Sequence, residues 1–228
     1  MSHEVEGSIG GNVTDAGVKP ALRGWIHAAA TPLAALGAVW LVTSPVPSTS
    51  ARLAVAVFGA SLVGLYGISA LYHVPAWPGR TRYILSRFDA AMIPLFIAGT
   101  FTPMAFFSLS GNWRVWGLVV AWGVAITSSA VAASSLRGPR WMSAAGYLAV
   151  GWLAILPMTQ LIQALPWEGV GLIVLGGALY TLGAIVYARC RPDPRPHVFG
   201  FHEVFHLLVL AGSVCHYLAI WRYVLPAG

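Results

Sequence analysis

Charge is what this sequence has least of. Only 9% of its 228 residues are charged, against 57% hydrophobic, whereas a soluble domain carries about 25% charged residues. That shortage excludes an ordinary soluble domain, although the length alone would suit one or two. Cysteine is scarce as well. Cys190 and Cys215 lie too far apart for a CxxC metal or redox motif and read as a loop thiol and a small core filler. Internal repeats, low-complexity tracts and a second domain are missing, and the polar, Gly-rich first two dozen residues lack the apolar core of a signal peptide. Residues 1–22 read as a flexible polar tail. Residues 23–228 read as one transmembrane domain whose first span is an uncleaved helix.

The long uncharged runs are what the sequence does have. Seven reach membrane-spanning length: Gly24–Thr43, Leu53–Tyr72, Phe88–Ser108, Val115–Leu136, Met142–Gln160, Gly169–Ala188 and Phe199–Trp221. Each approaches or exceeds the ~20 residues a helix needs to cross a ~30 Å hydrocarbon core. The runs are continuously apolar, whereas barrel strands alternate. An all-α, polytopic bundle of seven transmembrane helices is the expected fold. Pro32, Pro94, Pro103 and Pro157 fall inside spans, which membrane helices tolerate when neighbours satisfy the freed carbonyls. The fifth and sixth spans divide near Pro166-Trp167-Glu168.

Lys and Arg sort sharply between the two ends of such a bundle. One end holds Lys19, Arg23, Arg80, Arg82, Arg87, Arg137, Arg140, Arg189, Arg191 and Arg195, and the other only Arg52, Arg114 and Arg222. The positive-inside rule then predicts a cytoplasmic N-terminus and an external C-terminus. The net charge of +6 is thus mostly a topology signal, with anionic lipid headgroups a secondary partner, and it does not indicate nucleic acid.

Ionisable groups within a bilayer are costly and therefore functional candidates. Here they are His27, His73, Asp89, His202, Glu203, His206 and His216, with Ser69 as a polar companion. The expected topology brings His73 and Ser69 of span two, Asp89 of span three, and His202 and His206 of span seven to one cytoplasmic layer. His202 and His206 are i and i+4, so both imidazoles share a helix face. Two such histidines and a third from another helix are a common way to hold Zn²⁺ with a position open. Ser69 and His73 share a face by the same spacing, and Asp89 or Ser69 could hydrogen-bond a ligating histidine. A single membrane histidine is more often a packing residue; several at one depth favour metal. His27, beside Arg23 and Trp25, reads as interfacial, with contact to the site the alternative. His216 lies ten residues beyond His206, about 15 Å along a helix, and reads as a satisfied core residue.

HEVFH, residues 202–206, matches the H-E-x-x-H signature of zinc metalloproteases. There the glutamate activates water as general base. Glu203 is about 100° round the helix from His202, in a first turn where it could instead cap amides or pair with a loop arginine. Membrane proteases of this type also need a further ligand, often an aspartate in an LDG-like context. None of Asp15, Asp89 and Asp193 has that context.

Four stretches carry a family resemblance: RGWIH (Arg23 to His27), SALYH (Ser69 to His73), RFDAAMIPLFIAGTFTP (Arg87 to Pro103) and FGFHEVFHLLVLAGSVCHY (Phe199 to Tyr217). In this order they resemble the bacterial haemolysin III family, which belongs with the progestin and adipoQ receptors and more distantly with alkaline ceramidases. The resemblance covers nearly all of the chain after Lys19. It implies a seven-helix protein of the bacterial inner membrane, with zinc held by His73, His202 and His206, and with Ser69 and Asp89 holding or activating a water at the zinc. Ala90 departs from the pattern, because bacterial members often carry histidine there. Three activities follow as expectations. One is hydrolysis of a lipid amide or ester, in which Asp89 takes a proton and Ser69 orients water or steadies the oxyanion. Another is non-catalytic sensing of membrane state or of a lipid or fatty-acyl ligand around a structural zinc. The third is the membrane permeabilisation of the family name, for which no span offers a polar stripe.

Overall fold

The computed structural model describes residues 19–134 and 138–227. Most of the expected N-terminal tail, residues 1–18, and Arg137 of the basic set lie outside the described residues. The described chain is helical: α1 (Trp25–Thr43), α2 (Thr49–His73), α3 (Gly79–Ser108), α4 (Gly111–Ala133), α5 (Arg140–Trp152), α6 (Met158–Ala164), α7 (Trp167–Arg189) and α8 (Phe201–Ala219). A π turn at Ile220–Val224 extends α8 to the last short turn at Leu225–Ala227. Among the described residues no strand forms, and the nearest thing to one is a single bridge between Arg195 and Phe199.

Among the described residues six helices are long and apolar enough to span a membrane, so the protein is a polytopic helical membrane protein. The seventh crossing is where structure and sequence differ. The expected fifth span is two pieces, Arg140–Ile155 and Met158–Ala164, meeting at a 52° bend. Pro157 sits at the break, and its ring and missing N–H disrupt the preceding turn. The division from the sixth span falls at Pro166, with α7 starting at Trp167.

Pro94 lies inside an unbroken α3, and the neighbouring helices show why. A proline at 94 cannot donate to the Ala90 carbonyl one turn back. Tyr147 of α5 donates its hydroxyl to that carbonyl at 3.2 Å, and Ser129 of α4 donates to the next one, Ala91, at 2.8 Å. Backbone groups freed in a membrane must find such partners.

The helices close into a ring. α1 packs on α2, α2 on α3, α3 on α4, α4 on α5, α5 on α7, α7 on α8, and α8 returns to α1. α3 has the largest buried share of any span. Small residues let helices approach closely: a Cβ added at Gly99 of α3 would lie 2.7 Å from the Ser61 Cβ of α2. Tyr217 of α8 donates to the Gly37 carbonyl of α1 at 3.0 Å, fastening the closure.

Candidate metal centre

Three histidines meet at the arginine-rich end of the ring. His73 is the last residue of α2, and His202 and His206 occupy the first two turns of α8. One ring nitrogen from each lies within 4.8 Å of the others, and among the described residues this is the one such group able to hold a metal ion. The Nε2 atoms of His73 and His202 are 3.2 Å apart. Ligand nitrogens at 2.0–2.1 Å from a tetrahedral zinc stand roughly 3.3 Å apart, so the donor set fits the ion in kind and the His73–His202 pair fits it in spacing. The Asp89 carboxylate approaches His73 Nε2 to 3.6 Å, beyond direct hydrogen-bond range and suited to a bridging group. The expected gathering of α2, α3 and α8 residues is present.

Local structure delivers these side chains. α8 starts after Gly200, and its first amides need acceptors. Glu203 Oε2 accepts from the Gly200 N–H at 2.8 Å and Asp193 Oδ1 from the Phe201 N–H at 2.8 Å. The other Glu203 oxygen pairs with Arg23 Nε, and the glutamate is fully buried. Both roles open to Glu203 on sequence grounds are filled at once. With both oxygens engaged, it has none directed to the histidines as a protease base would require.

The segment ahead of α1 is docked over the same end. Ala21 and Leu22 donate to the carbonyls of His197 and Val198 at 3.0 and 3.1 Å, and Lys19 Nζ donates to the Val74 carbonyl at 2.9 Å. Gly24 then turns the chain into α1 at φ +86°, where a Cβ would stand 2.5 Å from that of His73. Glycine is needed there for both conformation and space.

His27 differs from its interfacial reading. It is 3% exposed, its Nδ1 lies 2.9 Å from Ser69 Oγ, and its ring stacks on His206 at 3.9 Å between centroids and 11° between planes. The contact alternative is the correct one. Position beside Arg23 and Trp25 suggested the water interface; burial comes from α1 packing on α2 and α8, which no local pattern reveals. The signal the sequence did offer was the RGWIH stretch, Arg23 to His27, among those that carry the family resemblance. His216 is buried, with Nε2 3.1 Å from the Ile173 carbonyl.

A cavity of about 360 Å³ opens from this centre into the bundle. His27, Ser69, Asp89, His202 and His206 line one end, and the remaining walls are overwhelmingly apolar, drawn from α3, α4, the bent α5–α6 region, α7 and α8. Its lining on α8 runs from His202 to His216, about 21 Å at 1.5 Å per residue. Ala90 also lines it, so the missing histidine leaves space rather than a gap in the donor set.

Residues 16–217 match the family model described as haemolysin-III related. Hemolysin-3 of Bacillus cereus is 32% identical over 181 residues, covering 78% of each chain. The Hemolysin-3 homolog of Bacillus subtilis is 30% identical, covering 73% of this chain and 75% of its own length. A human monocyte to macrophage differentiation factor is 24% identical, covering 73% of this chain and 68% of its own. A membrane bundle of helices, the ordered motifs and matches across most of the chain agree: this protein belongs to the haemolysin III-related family.

Proposed function

We propose that the protein is a zinc-dependent hydrolase acting on a lipid amide or ester at the cytoplasmic leaflet of a bacterial inner membrane. The observation that carries this reading is the three-imidazole cluster, two of whose members, His202 and His206, line one end of an apolar cavity inside a membrane bundle. Three neutral imidazoles with an open position favour zinc over harder cations. Bound there, zinc would supply Lewis acidity to a carbonyl and make water a competent nucleophile near neutral pH. Asp89 would accept the proton of the attacking water as general base. Ser69 would orient that water or donate to the developing oxyanion. The apolar walls would hold the acyl chain, keep bulk water out and leave the scissile carbonyl among the histidines. The arginine-rich end faces the cytoplasm by the positive-inside rule.

A second reading has its own support. His73 and His202 come from helices 129 residues apart in sequence, so zinc would also cross-link α2 to α8, as a structural ion in a lipid sensor would. Detergent-purified protein is expected to carry about one zinc and to release fatty acid from mixed membrane lipids. Release lost in Asp89→Ala with zinc retained supports hydrolysis. Zinc without release from any lipid class favours the sensor, and wild-type protein without zinc sinks both.

A further inference from the structure

We propose that His27 is a positioning residue of the metal centre, its ring face bracing the His206 imidazole and its Nδ1 fixing the Ser69 hydroxyl. The proposal rests on the metal-centre reading but not on turnover. His27 belongs to α1, which supplies none of the three candidate ligands, yet its ring is parallel to His206 at 3.9 Å. Tyr66 of α2 also packs against His27, its ring tilted and 4.9 Å from that of His27. His206 is thereby held against rotation about its side-chain bonds. Its Nδ1 is buried and has no hydrogen-bond partner among the described residues; with Nε2 as the ligating atom, the usual carboxylate or carbonyl that orients a ligating imidazole would be replaced by the stacked ring.

The second contact acts on a different group. Ser69 is 2% exposed, and its hydroxyl is free to rotate unless a neighbour chooses its direction. The bond to His27 Nδ1 at 2.9 Å makes that choice. One side chain thus sets both a candidate ligand and the hydroxyl beside it. His27 Nε2 is buried and without a hydrogen-bond partner among the described residues, so the Ser69 bond at Nδ1 and ring packing on His206 and Tyr66 are what fix the His27 ring.

Two substitutions separate the contacts. His27→Phe keeps a ring face and removes Nδ1; His27→Asn keeps a polar atom near Ser69 and removes the ring. The probe is Co²⁺ added to metal-stripped, detergent-purified protein, read by titration and by its visible d–d spectrum. Apo melting temperatures show which variants fold. His27→Asn is expected to weaken Co²⁺ binding by about 10- to 100-fold, the usual loss when an outer-shell partner is removed. His27→Phe is expected to bind Co²⁺ nearly as wild type but to shift the spectrum as Ser69→Ala does. The double variant His27→Phe/Ser69→Ala should then shift it no further, because coupled groups are not additive. Folded His27→Asn with wild-type affinity overturns the bracing role, and additive shifts or an unshifted His27→Phe overturn the hold on Ser69. Should His27→Asn fail to fold, His27→Leu serves as the ring-less variant, with the same criterion. Wild-type protein that takes up no Co²⁺ overturns the proposal together with the metal reading, whereas absence of lipid turnover leaves every arm of this test intact.

Discussion

His206 stands between the His27 ring on one face and the rings of His73 and His202, whose centroids are 5.3 and 4.5 Å away. Removing it takes away one nitrogen of the metal group and the surface against which His27 packs. His206→Ala is therefore expected to lose most of its zinc, measured by metal analysis of purified protein, while His216→Ala keeps it. A second residue-scale expectation concerns Arg23 and Glu203. Glu203 is fully buried and Arg23 nearly so, and removing one partner of a buried pair leaves an uncompensated charge worth about 3–5 kcal/mol. Arg23→Ala should destabilise by that order in mixed-micelle unfolding. Glu203→Gln, which is uncharged, should cost less and leave zinc content unchanged. A protease-type base at 203 would instead show its loss as a 10²- to 10⁴-fold fall in rate, the effect expected here of Asp89→Ala.

Among the elements, the proline-bearing helices show how far a sequence can be read. The spans were legible because a hydrocarbon core demands about 20 apolar residues in a row, and α1, α2, α3, α4, α7 and α8 satisfy that demand directly. The bend at Pro157 was not legible. Pro94 has the same covalent chemistry, but Tyr147 and Ser129 reach the carbonyls around its gap, and such partners depend on which helices become neighbours. Tyr147→Phe should therefore lower stability by about 1 kcal/mol, within the range of interhelical hydrogen bonds in membranes, as a fall in the midpoint of thermal unfolding in detergent. The candidate site divides the same way. His73, His202, His206, Ser69 and Asp89 were legible from i, i+4 spacing and shared depth. His27 and the cavity were not, since both exist only once α1 closes the ring against α8.

For the molecule as a whole, the arginines predict orientation. A bacterial alkaline phosphatase fused after Gly228 should be active, because that enzyme folds only outside the cytoplasm, and a fluorescent protein fused there should stay dark. The opposite pattern would reverse the bundle and move the histidines to the outer leaflet. Closure of the ring also has a consequence in time. His73 and His202 are separated by 129 residues and Arg23 and Glu203 by 180. At roughly 5–20 residues per second of synthesis, His73 waits on the order of 6–26 s in the membrane before His202 is made. During that interval α1 to α7 must be held by their own packing, with His73 without its α8 neighbours and Arg23 without its carboxylate. Insertion of α8 then supplies two imidazoles, the counter-charge and the last wall of the cavity together. A metal ion held by all three histidines could then be loaded only after α8 is made, which would make insertion of the last helix the checkpoint for a correctly assembled centre.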